Sequence, residues 1–110
     1  MFARSTQLLT LTYVRPWRPP TDVCETETEV VVEVEIAGMR EDDFHVSLDG
    51  RLLTISGLRV DKSRERRAYY EMEIHSGEFR TDVELPVPID TDGIRAEYEN
   101  GFLRIAMRKA

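Results

Sequence analysis

The side chains of this sequence that could do chemistry are Cys24, His45, His75 and two acidic groups: Glu27, Glu29, Glu33 and Glu35, then Glu41, Asp42 and Asp43. A cysteine becomes a nucleophile when a histidine beside it takes its proton. Two carboxylates held a few ångströms apart can share the acid and nucleophile roles of glycoside cleavage. Two histidines can begin a zinc site, but no cysteine pair is present to complete one. Each reading has a simpler rival. Glu33 and Glu35 alternate with valines, which puts them on the outward, solvated face of a strand. His45 and His75 fall on the polar faces of alternating runs, as surface groups. Cys24 reads as a small apolar side chain on an edge strand. There is no GxxxxGK[ST], GxSxG or HExxH, hence no phosphate-binding loop of that kind, nucleophile elbow or zincin helix. The chain does not read as an enzyme, and neither a cofactor nor a metal is expected.

The bulk properties point the same way. A chain of 110 residues makes one domain with room for a core. A net charge of −6 argues against nucleic acid and against an anionic membrane as partners. A single cysteine rules out an internal disulfide and suits a reducing compartment. No apolar run is long enough to span a bilayer, and no leader-like pattern opens the chain, so the expected location is cytoplasmic.

The elements that would position these groups are strands. Val30, Val32, Val34 and Ile36 form one apolar row, and Phe44, Val46 and Leu48 another. Asp49-Gly50 turns the chain into Leu52–Ile55, and Gly57 ends or bulges that strand. Tyr70, Met72 and Ile74 alternate with Glu71, Glu73 and His75, which predicts a further strand. Phe79, Thr81, Val83 and Leu85 form the next row, stopped by Pro86. Pro86 and Pro88 predict a stiff connection through Gly93. Ile94, Ala96 and Tyr98 run into Asn100-Gly101, the strongest hairpin signal in the chain, and Phe102–Met107 returns. No helical period survives beyond a turn. The pattern is all-β, a sandwich of seven to nine short strands.

Two segments stand outside that pattern. Lys62–Arg67 carries four cations and one glutamate between strands; it is either an interaction arm or a solvated loop. Residues 1–16 form a short N-terminal arm, set off from residues 17–110 by Arg15-Pro16-Trp17-Arg18-Pro19-Pro20. Its apolar residues Leu8, Leu9, Leu11, Tyr13 and Val14 gain free energy on leaving water, about 1.5–3 kcal/mol for each large side chain buried. They should dock on the domain, on a second subunit or on another protein.

Five motifs, in order over most of the chain, resemble those of the α-crystallin domain of small heat-shock proteins, the Hsp20 family. Trp17–Thr26 resembles W-x-P-x-x-D-[IV]-x-E. Ile36–Val46 resembles L-P-G-x-x-x-x-D-[IF]-x-V, with Ala37 in place of proline. Leu53–Gly57 resembles L-x-I-x-G, and Gly77–Pro86 resembles G-x-F-x-R-x-x-x-L-P. Ala96–Leu103 resembles A-x-x-x-N-G-V-L, with Phe102 in place of valine.

The resemblance implies an immunoglobulin-like sandwich that dimerises and holds non-native proteins without ATP. The length between Gly57 and Tyr70 is similar to that of the bacterial, archaeal and plant branch, whose loop carries a strand that pairs with the first strand of a partner. That implies a homodimer interface at Asp22, Val23, Cys24, Val60, Arg64, Arg66, Arg67 and Tyr69. It also implies a peptide groove lined by Val46, Leu48, Ile94 and Ala96. Relatives plug this groove with a C-terminal I-x-[IV] tail. This sequence ends at Arg108-Lys109-Ala110, and Leu9-Thr10-Leu11 has the same branched spacing, so the arm is expected to bind a neighbour's groove. The function expected is a holdase whose partners are non-native clients, further copies of itself and ATP-dependent chaperones. The alternative is a regulatory or capping subunit of longer relatives.

Overall fold

The computed structural model describes residues 15–61 and 67–110. The arm residues Leu8, Leu9, Leu11, Tyr13 and Val14, together with Arg64 and Arg66, lie outside them. Seven strands are present among the described residues: β1 (Thr21–Glu25), β2 (Glu29–Glu35), β3 (Phe44–Asp49), β4 (Leu52–Arg59), β5 (Gly77–Glu84), β6 (Ile89–Glu99) and β7 (Phe102–Lys109). They form two antiparallel sheets, β1-β2-β7-β6 and β3-β4-β5.

The alternating rows become the two inner faces. Val30, Val32, Val34 and Ile36 pack with Leu103, Ile105 and Met107 on one side. Leu53, Ile55, Phe79, Val83 and Leu85 meet them from the other. Branched side chains suit this pleated, half-buried surface. Thr81 is the one buried polar side chain among the described residues, and its hydroxyl lies 3.0 Å from that of Thr21. This contact draws β1 toward β5 and closes one side of the sandwich.

The turns follow local chemistry. Asn100 (φ 53°) and Gly101 (φ 83°) join β6 to β7 through the left-handed backbone that a two-residue type I′ turn requires. The β3–β4 turn centres on Gly50-Arg51, one residue later than expected, because Asp49 already pairs with Leu52.

Three further expectations need correction. Gly57 neither ends nor bulges β4. It pairs in register with Phe44 and Phe79, and a Cβ there would lie 2.7 Å from Phe79 Cζ and 2.9 Å from the Asp43 carbonyl oxygen. Glycine is needed at this position to let an aromatic ring cross the backbone. The stretch after Pro88 is not a stiff connection: β6 starts at Ile89 and takes a bulge before Ile94. Tyr70–Ile74 is not a strand. β5 pairs with β4 on one edge, and its other edge is taken by Trp17, whose N–H donates to the Glu78 carbonyl and whose carbonyl accepts from the Arg80 N–H. An alternating run with no ladder neighbour does not make a strand.

The outward face of the larger sheet carries charge. Glu25 pairs with Lys109 at 2.6 Å at the end of the inward row that holds Val30 and Met107, and on the outward face Glu29 pairs with Arg95 at 2.9 Å. The stems of such long side chains help cover outward-facing Val31 and Ala106, which are buried. Asp90 accepts from Arg108 Nε and Nη2 at 3.1 and 2.9 Å and from the Asp92 N–H at 3.0 Å. The Arg108 guanidinium, then that backbone N–H, holds the Asp90 carboxyl below its usual range. Arg80 lowers that of Asp82; burial opposes it, and the Thr54 hydroxyl adds a smaller lowering effect. A depressed folded-state pKa stabilises above the unfolded value of about 3.9, and the contribution disappears as pH falls through the lower folded value. Asp90→Asn is therefore expected to lower the urea midpoint at pH 7 and to match the parent at an acid pH below the depressed Asp90 value. An equal gap at both pH values would contradict this.

Candidate functional site

On the side of the sandwich opposite the Thr21–Thr81 contact, the two sheets do not close. β3 and β6 are both edge strands there. Phe44, Val46 and Leu48 share the inward row of β3, opposite Gly57, Ile55 and Leu53. Ile94, Ala96 and Tyr98 share the inward row of β6, opposite Met107, Ile105 and Leu103. One end is tied shut. The Phe44 and Tyr98 rings meet at 5.1 Å, the Tyr98 hydroxyl donates to the Ile36 carbonyl at 2.6 Å, and it accepts from the Met39 N–H at 3.3 Å. Beyond that tie the row is uncovered: Val46 is 41% exposed and Ile94 36%, Ala96 is exposed and Leu48 half-buried. Side chains that point inward yet meet water leave an apolar seam between two strand edges, whose backbone groups can still pair.

A second open region lies at the other edge of the larger sheet. Asp22, Val23 and Cys24 are exposed on β1, which among the described residues has β2 on one side and no strand on the other. Val60, Arg67 and Tyr69 are exposed elsewhere, around a cleft beside the end of β4 and not against β1, and the Tyr69 hydroxyl donates to Asp61 Oδ2 at 3.5 Å. In the neighbouring stretch Tyr70 is 104% exposed, Met72 64% and Ile74 83%. A cleft of about 750 Å³ separates this stretch from Ala37, Gly38 and Arg59. Sequence reading found the alternation of Tyr70, Met72 and Ile74 but missed that all three face solvent, because nothing local says which neighbour a strand will find.

The groups that opened the chemical question are dispersed. His45 is exposed on β3, away from Cys24 on β1. His75 lies on no strand, contrary to expectation; its ring stacks on Trp17 with centroids 4.9 Å apart and planes at 17°. An aromatic platform outside the ladder competes well for an imidazole that has no strand to join. Glu33 and Glu35 point outward from β2, as their alternation predicts. Among the described residues, no three His, Cys, Asp or Glu side chains are grouped to hold a metal. Nor is any described helix long and apolar enough to cross a membrane.

Fold and seam together define a class: an antiparallel two-sheet sandwich that offers apolar strand edges. Residues 22–110 match the Hsp20/alpha crystallin family. The chain belongs to that family, the small heat-shock proteins, which are generally ATP-independent chaperones and not enzymes. It is 38% identical over 92 residues to Small heat shock protein C2 of Rickettsia felis, covering 83% of this chain and 60% of the relative. The chain thus spans about three-fifths of that protein's length. Among solved structures, Heat shock protein 16.0 from Schizosaccharomyces pombe superposes with a TM-score of 0.76 at 32% identity, over 84% of this chain and 87% of that one. A small heat-shock protein from Xylella fastidiosa, described as having a distinct high order structure, matches with a TM-score of 0.76 at 29% identity over 86% and 88%. Homologous structures of this kind are oligomeric.

Proposed function

We propose that this protein is a cytoplasmic holdase, which binds non-native polypeptides without nucleotide and keeps them from aggregating. One observation carries the reading: the inward rows of β3 and β6 are apolar, and past the Phe44–Tyr98 tie they are left open to water. Unfolding proteins expose apolar side chains and unpaired strands. An extended client segment can add to a free edge through its backbone and place alternate side chains against Val46, Leu48, Ile94 and Ala96. Each large apolar side chain so covered returns about 1.5–3 kcal/mol. Several weak contacts of this kind hold a client and still let it go, for refolding alone or on an ATP-dependent chaperone.

The working unit proposed is a homodimer built on residues 17–110. The free edge of β1, with Asp22, Val23 and Cys24, takes the partner's stretch beyond Arg59, with Val60, Arg67 and Tyr69 described at its ends and Arg64 and Arg66 between them. Two observations support this, both among the described residues: an edge strand without a neighbour, and an alternating apolar run without a ladder. The arm of residues 1–16 would add Leu8, Leu9, Leu11, Tyr13 and Val14 as client or assembly contacts, with Leu9-Thr10-Leu11 seated in a neighbour's seam.

The test is direct. A heat-labile enzyme is warmed with the protein from sub-stoichiometric to excess ratios, without ATP, and aggregation is followed by light scattering. Scattering should fall steadily as the ratio rises. No suppression at any ratio removes the holdase reading.

A further inference from the structure

The chain leaves the smaller sheet at the end of β4 and re-enters it at the start of β5, where Arg59 and Gly77 are register partners. Arg59 is the last strand residue before this excursion. Its Nε and Nη2 donate to the His75 carbonyl at 3.0 and 2.6 Å, and its Nη1 donates to the Ala37 carbonyl at 3.3 Å. Its Cζ lies 4.7 Å from the centroid of the Trp17 ring, on which His75 is stacked. Trp17 is itself bonded to β5 through Glu78 and Arg80. Its Nε1 is buried with no hydrogen-bond partner among the described residues, so stacking and the cation, not that donor, hold the ring to its neighbours. A single guanidinium therefore grips the returning backbone, the connection that follows β2, and the aromatic plug between the sheets.

Just beyond this grip, Tyr70, Met72 and Ile74 turn their side chains to solvent. We propose that Arg59 is a positioning residue of the assembly surface: it anchors residues 67–76 at their base and so presents the exposed Tyr70, Met72 and Ile74 to a second copy of this chain. The inference rests on the dimer reading above. Its physical basis is preorganisation. A loose segment loses its conformational freedom when it docks, and an anchored one has lost part of it beforehand. Arginine suits the task because its planar fork can hold two carbonyls and an aromatic face together, which a lysine ammonium cannot do with the same geometry.

The experiment uses the full chain and three proteins: the parent, Arg59→Lys, and the double variant Tyr70→Ser, Met72→Ser. Sedimentation over a concentration series gives the dimer dissociation constant. Thermal melts at dilutions that separate the subunits, read by fluorescence of the single tryptophan, Trp17, give the stability of the sandwich. Lysine keeps the charge near Trp17 and loses the two-pronged bond to His75. The dissociation constant of Arg59→Lys should rise on the order of tenfold, the worth of a charge-assisted hydrogen bond, with its monomer melt little changed. The double variant should lose the dimer outright. Parental affinity in Arg59→Lys, alongside loss in the double variant, overturns the positioning role. Weakened association that only tracks a lowered monomer melt overturns it too, since Arg59 would then be merely structural. A parent that stays monomeric at every concentration overturns the dimer reading on which the role rests, and with it the role.

Discussion

Phe79→Ala should destabilise the protein by about 3–5 kcal/mol, a large share of the roughly 5–15 kcal/mol that holds a domain folded. Phe79 is 1% exposed and sits where three parts of the chain meet. Its ring lies 5.9 Å from that of Trp17 and 6.0 Å from that of Phe44, and it crosses the backbone at Gly57. Removing it leaves a cavity between the sheets and takes the support from the Trp17 plug. The complementary change, Gly57→Ala, pushes a methyl group into the same ring and toward the Asp43 carbonyl, at an expected cost of about 1–3 kcal/mol. The two changes should not add. Once the ring is gone, the methyl group meets only the carbonyl, so Gly57→Ala should do less harm in the Phe79→Ala background. Urea unfolding of both single variants and the double variant measures this coupling. Full additivity would mean that the ring and the glycine act independently.

The second large effect concerns activity without stability. Val46→Asp combined with Ile94→Asp places two carboxylates in the open seam. Both side chains already meet water, so the urea midpoint should move by less than about 1 kcal/mol equivalent. Client binding should suffer far more. Each change removes an apolar contact worth about 1.5–3 kcal/mol and asks the client to bury a charge. Together they predict a loss of affinity of at least a hundredfold and near-complete loss of protection in the light-scattering assay. Leu52→Asp supplies the control. Leu52 is as exposed as Val46, at 41%, but points away from the seam on the outer face of β4. Protection should survive that change. If the seam variant guards clients as well as the parent, the seam is not where they bind.

Much of the fold was legible in the residues. The rows Val30–Ile36, Phe79–Leu85 and Leu103–Met107 are local alternations that water alone sorts into one buried and one wet face. Asn100-Gly101 specifies its own turn because few other pairs tolerate positive φ at both positions. The outward placement of Glu33 and Glu35 was legible for the same reason. What failed were the places decided by remote neighbours. Tyr70, Met72 and Ile74 alternate like a strand, yet a strand exists only where a second backbone pairs with it, and Trp17 already occupies the edge of β5. Gly57 reads locally as a break, yet what requires a glycine there is the ring of Phe79, 22 positions on, a separation counted from Gly57 to Phe79. Arg59 reads as one more cation of a charged run, and only folding brings the Ala37 and His75 carbonyls and the Trp17 face within its reach. The sequence by itself determined which side chains face inward, since that depends on period. The tertiary structure decided which inward rows are covered, since that depends on where the other sheet stops.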